Sequence, residues 1–187
     1  MLQRLGDILK RVFGEIIPEN QNSHPRFIEL VNMAQKEIWV VAGELNPIFY
    51  DENFVNVVEE KVIKNGLKLH LLFAKGVDTE GNKLNTQEEV IAKLKSENVP
   101  IVDIFKKYPN NIEMYRANRR PKYHFNLFDD EWAFLEKPHP PYKPRKVYIK
   151  QDKKLVEKYI KTFNTMSDTT NTESGIIVKK LEPADFN

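Results

Sequence analysis

The chain contains no cysteine, and only seven of its 187 residues are glycine. Without cysteine it can form neither a disulfide nor a thiolate metal site, and no thiol is available as a nucleophile. This composition fits a reducing compartment, so we expect a cytoplasmic protein. The remaining metal ligands are histidine, aspartate and glutamate, and no spacing among them predicts a metal site or any other cofactor.

Long apolar runs are also missing. None approaches the roughly 20 residues of a membrane-spanning helix, and the first residues lack the apolar block and cleavage site of a signal peptide, so we expect no transmembrane segment. The sequence also has no glycine-rich phosphate loop, Walker-type lysine, nucleophile elbow or pair of catalytic carboxylates. These absences exclude the common enzyme classes that depend on such motifs.

Apolar residues make up 41% of the chain and charged residues 30%, which predicts a folded domain with a packed core. The charge is uneven, because residues 105–161 contain 15 Lys and Arg against 7 Asp and Glu, whereas the other residues contain 14 against 20. Either the basic part attracts a phosphate-bearing partner, or it is a solvated surface that the acidic part balances in the folded protein.

Three regions are predicted along the chain. Residues 1–22 form an amphipathic helix, with apolar residues at helical spacing from Leu2 to Ile16, followed by a polar linker. This helix fits a membrane surface, a dimer contact or packing on the domain's own core. Residues 23–166 form the folded domain, and residues 167–187 form a flexible tail with an edge strand at 176–178.

Helices and strands alternate in the first half of the domain. Asp51 is placed to cap a helix that ends at Gly66, between two apolar strands that a crossover of this kind makes parallel. Thr86 and Glu89 predict a capping box for the next helix, and residues 101–105 are predicted to form a strand.

Short strands follow one another in the second half, at residues 112–117, 123–128 and 132–135, and Asp152 caps a last helix. The predicted fold class is α/β, with a mixed sheet that is parallel first and antiparallel later and is flanked by helices.

The segment at residues 122–132, KYHFNLFDDEW, together with this order of elements, resembles the phospholipase D superfamily, over about residues 25–166. That family carries a His-x-Lys-x-x-x-x-Asp motif on such a strand. If Asp129 is matched to the motif aspartate, His124 and Lys122 occupy the lysine and histidine positions in exchanged order. If His124 is matched to the motif histidine, Asn126 and Glu131 replace the lysine and the aspartate.

The resemblance implies a histidine that attacks phosphorus and a lysine that stabilises the phosphate oxygens. It also implies an active site built from two motif copies, so a single-copy chain would need a homodimer. The following strand matches the family's Gly-Ser-x-Asn element at Glu136, Lys137 and His139, where a carboxylate stands in place of glycine. Such a carboxylate would repel a phosphodiester.

Three groups of candidate site residues follow. The candidate catalytic pair is Lys122 and His124. The candidate substrate-binding residues are Glu44, Asn46, Glu136 and His139. The candidate anion-binding residues are Arg116, Arg119, Arg120, Lys143, Arg145 and Lys146. The structural alternatives are a core histidine at 124, an exposed loop histidine at 139 and an ordinary turn at Asn46 and Pro47.

The first functional hypothesis is a catalytically degenerate phospholipase D-like domain that binds nucleic acid, another phosphate-bearing ligand or a protein, as a monomer or a homodimer. The second is a phosphodiesterase or nuclease that uses Lys122 and His124, across a dimer interface. The third is a regulatory interaction domain that makes contact through its N-terminal helix and tail strand. Enzyme activity is left open, with the binding module preferred.

Overall fold

A computed structural model of the protein describes residues 14–19, 21–45, 50–74, 86–97, 99–136, 146–170 and 177–187. Within these residues, one sheet contains eight strands. The strands are β1 Glu15–Ile17, β2 Glu37–Ala42, β3 Lys68–Phe73, β4 Ile112–Ala117, β5 His124–Phe128, β6 Trp132–Glu136, β7 Val147–Gln151 and β8 Val178–Leu181. The helices are α1 His24–Met33, α2 Glu52–Asn65, α3 Gln87–Ser96, α4 Ile101–Lys107 and α5 Lys153–Ser167, and a 3-10 helix covers Pro183–Phe186.

The strand order is β1-β7-β6-β5-β2-β3-β4-β8. Strands β2, β3 and β4 are parallel, and all the other neighbouring pairs are antiparallel. The predicted α/β class with a mixed sheet is therefore confirmed, including the parallel crossover from β2 through α2 to β3. No helix in the described part of the chain is long and apolar enough to cross a membrane.

Local signals in the sequence set the ends of the helices where they were predicted. The Asp51 carboxylate accepts a hydrogen bond from Phe54 N at 3.0 Å, and Gly66 ends α2 with a φ of 67°. Thr86 and Glu89 form the reciprocal capping box of α3. Asp152 caps α5 by accepting from Leu155 N at 3.1 Å. Each cap satisfies backbone groups that the helix leaves unpaired.

The two faces of the sheet carry separate cores because side chains alternate along each strand. One face packs against α1 to α4 and holds Ile38 and Val40 together with the fully buried Phe27 of α1. The other face packs against α5 and holds Trp39 and Val41. The sheet thus lies between a layer of four helices and a single helix.

The strand predicted at residues 101–105 is wrong, because this segment forms α4. Ile101, Val102, Ile104 and Phe105 are all buried, at a spacing that one side of a helix provides. An apolar run this short fits a buried strand equally well by its periodicity. Pro100 is the residue before the first turn of the helix.

Both ends of the chain differ from the prediction. The predicted amphipathic helix included Glu15 and Ile16, but these residues lie in β1, which pairs with β7. Residues 1–13, the rest of that helix, lie outside the described residues. Strand β7 was not predicted, since it has only two buried residues, Val147 and Ile149. The tail strand does occur at the sheet edge, but it covers Val178–Leu181, so it begins two residues and ends three residues later than predicted.

Strand β8 is held to the sheet by a carboxylate that Lys180 and His70 share. Lys180 Nζ donates to Glu113 Oε1 at 2.8 Å, and His70 Nδ1 lies 2.8 Å from Glu113 Oε2. Burial by itself would raise the pKa of the Glu113 carboxyl, but the hydrogen bonds from Lys180 and His70 outweigh it and hold this pKa below its ordinary value. The charged form of Glu113 therefore stabilises the fold.

A depressed carboxyl pKa contributes stability above the unfolded-state pKa, which is about 4.3 for glutamate, and this stability is lost as the pH falls through the folded-state pKa. We expect Glu113 to supply less than about 1 kcal/mol, since Glu113 and Lys180 are partly exposed and solvent screens them. The free energy of unfolding of Glu113→Gln should accordingly fall less steeply than that of the wild type below pH about 5. Urea titrations across pH measure this slope, with Glu157→Gln as the control, and an unchanged slope in Glu113→Gln would contradict the assignment.

Candidate functional site

The candidate residues that the structure describes gather at one edge of the sheet. Because of the strand directions, this edge contains the carboxyl ends of β2, β3, β4 and β6 and the amino ends of β5 and β7. The candidates found at it are Glu44, Arg116, Arg119, Arg120, Lys122, His124, Glu136 and Lys146. Four further candidates, Asn46, His139, Lys143 and Arg145, lie outside the described residues.

His124, the first residue of β5, lies between a carboxylate and a guanidinium. Its partner in the ladder is Glu136 on β6, and His124 Nδ1 is 3.6 Å from Glu136 Oε2. Both side chains are largely buried, at 10% and 5% exposure. On the other side of the ring, Arg120 Nε donates to His124 Nε2 at 3.4 Å. Since Arg120 can only donate, His124 Nε2 is the acceptor of this hydrogen bond.

Gly43, the first residue after β2, lets Arg120 reach His124. A Cβ atom at Gly43 would lie 2.8 Å from Arg120 Nε and 3.1 Å from His124 Cε1. A larger residue would therefore push the guanidinium away from the imidazole. Sequence reasoning did not single out this glycine, and the only signal for it was its position at the end of a strand on the ligand-binding side of an α/β sheet.

Asn126 lies two residues along β5 and therefore projects from the same face as His124. Its side chain is 2% exposed, and its Oδ1 atom has no hydrogen-bond partner among the residues that the structure describes. An unpaired buried oxygen costs about 1 to 3 kcal/mol of stability. An apolar side chain of similar size would avoid this cost.

We therefore expect Asn126→Leu to raise the free energy of unfolding by about 1 kcal/mol. Leucine has the same branching at Cγ as asparagine and removes the unsatisfied oxygen, but its methyl groups take up more volume, so the gain is smaller than the full cost of the unpaired oxygen. Urea denaturation of the two proteins measures the difference. A loss of stability in Asn126→Leu would mean that overpacking or a lost amide contact outweighs the removal of the unpaired oxygen.

The loop at residues 118–123 joins β4 to β5 and carries three cations in a row of six residues, Arg119, Arg120 and Lys122. Its start is fixed by the tail, because Asn118 N donates to Ile177 O at 2.9 Å and Ile177 N donates to Asn118 Oδ1 at 2.9 Å. Arg119, Arg120 and Lys122 are all exposed. The loop thus presents positive charge beside His124.

Lys122 lies in this loop and not in the strand, which begins at His124. Its exposed side chain places Nζ 5.6 Å from the centre of the Tyr123 ring, an attraction between a cation and an aromatic face. Lys122 therefore does not share a strand face with His124.

Arg116 lies near the end of β4 and is half-buried. Burial lowers the pKa of its guanidinium, while the negative charges of Glu88 and Glu89 on α3 act in the opposite direction. Lys146 precedes β7 beside the end of β6, on the far side of His124. These two cations therefore extend the positive edge on both sides of the loop.

Glu44 faces α3, where its Oε2 atom lies 3.7 Å from Lys93 Nζ. The two side chains line a small, mostly apolar pocket between the ends of β2 and β3 and helix α3, together with Leu45, Phe73, Ala74, Val90, Leu94 and Glu97. Glu44 thus neutralises Lys93. Among the described residues, no group of three or more His, Asp or Glu side chains could hold a metal ion.

The Asp129 carboxylate holds two segments of the backbone together. It accepts hydrogen bonds from three consecutive backbone amides, Gln35 N at 2.9 Å, Lys36 N at 2.7 Å and Glu37 N at 3.0 Å. The residue has a φ of 52°, in the left-handed region. Asp129 therefore joins the β5–β6 turn to the start of β2, at the end of the sheet opposite His124.

No family model and no curated protein matches the chain. Similar solved structures include TrmBL2, an archaeal chromatin protein that binds DNA, with a TM-score of 0.57 and 15% identity over 88% of this chain and 58% of that one. They also include the phosphatidylserine synthase of Haemophilus influenzae Rd KW20, with a TM-score of 0.54 and 11% identity over 87% of this chain and 37% of that one. NucT from Helicobacter pylori matches with a TM-score of 0.47 and 15% identity over 81% of this chain and 91% of that one.

The chain thus spans less than two thirds of the length of the first two of these proteins. At such low identity, the likeness concerns the arrangement of helices and strands. The phosphatidylserine synthase is a member of the phospholipase D-like fold, and the fold of this chain is phospholipase D-like.

Proposed function

We propose that this chain is a nucleic-acid-binding domain that uses the carboxyl edge of its sheet to hold phosphate groups and does not cleave them. The observation that carries the proposal is the loop at residues 118–123. Within the described residues, no carboxylate lies within ion-pair distance of Arg119, Arg120 or Lys122. Their charge is therefore available to an external anion.

The surrounding sequence strengthens this positive charge. From Met114 to Phe128 there is no acidic residue, while Arg116, Arg119, Arg120 and Lys122 all fall in this stretch. Clustered cations of this kind bind the phosphate backbone without regard to sequence and release its counterions. The fold similarity to a chromatin protein that binds DNA is consistent with such a partner.

Two features argue against hydrolysis. In the alignment that places His124 at the motif histidine, Asn126 replaces the motif lysine, so no strand residue supplies the cation that stabilises the phosphate oxygens. The buried Glu136 beside His124 adds a negative charge where a phosphodiester would have to sit. The domain is therefore proposed to be catalytically degenerate.

A salt titration tests the proposed binding. Fluorescence anisotropy of a labelled oligonucleotide should give a dissociation constant that rises steeply with salt. Three to four phosphate contacts correspond to a slope of about −2 to −3 for the logarithm of the binding constant against that of the salt concentration. Absent binding, or binding that does not change with salt, would contradict the proposed function.

A phosphodiesterase is the second candidate, and the position of Arg120 favours it. Arg120 Nε lies 3.4 Å from His124 Nε2, so a guanidinium is available where the motif lysine is missing. The resemblance requires two motif copies, and this candidate therefore includes a homodimer with paired His124 side chains. Hydrolysis of a chromogenic phosphodiester by the purified protein, abolished in His124→Ala, would establish the enzyme and exclude the binding-only domain.

A further inference from the structure

Several cations of this protein that the structure describes are neutralised by nearby carboxylates. The pairs with Nζ to carboxylate distances below 3 Å include Lys64 with Glu60, Lys107 with Glu59, Lys150 with Asp152, Lys153 with Asp130 and Lys180 with Glu113. Where exposed cations outside such pairs lie together on one side of a helix, they form a positively charged surface that can attract an external anion.

Helix α5 presents three cations of this kind, Lys154, Lys158 and Lys161, which we name the α5 lysines. All three are exposed, and no described carboxylate lies within ion-pair distance of them. Val156 and Phe163 bury the opposite side of the helix against the sheet. Residues spaced by four and three share one side of a helix, so the α5 lysines form a stripe about 10 Å long.

The loop at residues 118–123 ends with an exposed aromatic side chain. Tyr123 is 43% exposed and holds Lys122 Nζ over its ring. On α5, Tyr159 follows Lys158 and packs edge-on against Phe125, with the ring centres 4.8 Å apart. Phe125 lies in β5 two residues after Tyr123, so α5 packs against the strand directly after the loop. Loop and helix are thus neighbours at the start of β5.

We infer that a single nucleic-acid strand runs from Arg119 and Arg120 across Tyr123 onto the α5 lysines. This inference rests on the proposed nucleic-acid binding and extends it to a second contact surface on the other layer of the protein. The lysines contact phosphates, and the exposed face of Tyr123 stacks on a base. A single strand fits, since stacking on a side chain requires a base that is not enclosed in a duplex.

The test compares labelled oligothymidylates of about 4 and about 16 nucleotides, the range of site sizes that single-strand-binding domains occupy. Both should bind the loop, but only the longer strand reaches the α5 lysines. The triple variant Lys154→Glu/Lys158→Glu/Lys161→Glu should therefore lower the affinity for the long strand at least about tenfold and reduce the salt slope of that binding by about 2. Its affinity for the short strand should stay nearly unchanged.

Matched controls separate this effect from net charge and from folding. Lys36→Glu/Lys64→Glu/Lys106→Glu makes the same change in charge at exposed lysines outside α5 and the loop, and should alter long-strand affinity much less. Replacing the α5 lysines by glutamine should give the same pattern with a smaller loss. Circular dichroism verifies that each variant keeps its helices. Tyr123→Ala should lower the affinity for the long single strand several-fold, and it should change the affinity for a duplex of equal length only slightly.

Failure of the inference about the α5 lysines can be distinguished from failure of the proposed nucleic-acid binding. If wild type binds the long strand with a steep salt slope and the α5 variant binds it equally well, the inference is wrong while the proposed function stands. If neither strand binds, the proposed function fails first. Loss of binding to phosphatidylserine vesicles in the α5 variant, with unchanged oligonucleotide affinity, would assign the α5 lysines to a membrane surface and also overturn the inference.

Discussion

Replacing Arg119 and Arg120 together by glutamate is expected to weaken oligonucleotide binding about 100-fold at low salt. Each substitution removes a cation that no described carboxylate neutralises and puts an anion in its place. Arg120 also contacts the His124 ring, so its reversal places negative charge next to the buried Glu136. The affinity measured by anisotropy should fall for every sequence alike, because phosphate contacts carry no sequence information.

The control for this variant is Lys64→Glu/Lys106→Glu, which changes the net charge equally at exposed positions away from the loop. It should lower the affinity by less than about threefold, through the overall field alone. If the two double variants lose affinity to the same extent, binding depends on net charge and not on the loop. Lys64 and Lys106 are exposed, so we expect this control to lose no more than about 0.5 kcal/mol of stability.

Asp129→Ala is expected to lower the free energy of unfolding by about 3 kcal/mol. The variant loses all three hydrogen bonds from the amides of residues 35–37 and leaves alanine at a φ of 52°, which alanine tolerates poorly. Asp129→Asn should lower the free energy of unfolding by less, because asparagine adopts this backbone conformation and keeps one acceptor oxygen. Urea denaturation provides both values.

Glu131→Ala is the matched control for Asp129. Glu131 is a neighbouring exposed carboxylate whose described hydrogen bond is from Gln151 Nε2 at 3.2 Å. We expect Glu131→Ala to lower the free energy of unfolding by less than about 0.5 kcal/mol. Equal stability losses at the two positions would contradict the structural role of Asp129. Folded Asp129→Ala should bind oligonucleotide as the wild type does, which a role in phosphate chemistry would not allow.

The elements with explicit end signals could be predicted from the sequence. Asp51, Thr86 and Asp152 start helices because a side-chain oxygen can accept from the amide three residues later, a pattern that depends on local chain geometry alone. Gly66 ends a helix for a similar reason, since it has no Cβ to oppose the left-handed conformation. The parallel pairing of β2 and β3 followed from the crossover rule.

Elements that depend on distant partners could not be predicted. Residues 101–105 have an apolar pattern that fits a strand or a helix. Tertiary packing decides between the two, because all four apolar side chains are buried when the segment forms α4. Strand β1 has three residues and forms because β7 offers it an edge, which no local pattern reveals. The apolar spacing that suggested a helix over residues 2–16 extended into this strand.

The candidate site was partly predictable for the same reason. The strand directions place three candidates, Glu44, Arg116 and His124, at one edge of the sheet. These directions follow from the order of helices and strands along the chain. The contact between Arg120 and His124, the space that Gly43 leaves for it and the unpaired oxygen of Asn126 depend on side-chain packing. Asp129 matched a catalytic motif in the sequence, and only its three amide partners reveal what it does in the fold.

Chemical-shift mapping of the backbone amides during titration with an oligonucleotide tests the central claim most directly. The account predicts that the largest shifts occur in the loop at residues 118–123 and at His124 and Glu136, with the strand remaining intact throughout the titration. Shifts that gather on α1 and α2 and leave the loop unchanged would contradict it, and so would cleavage of the bound strand.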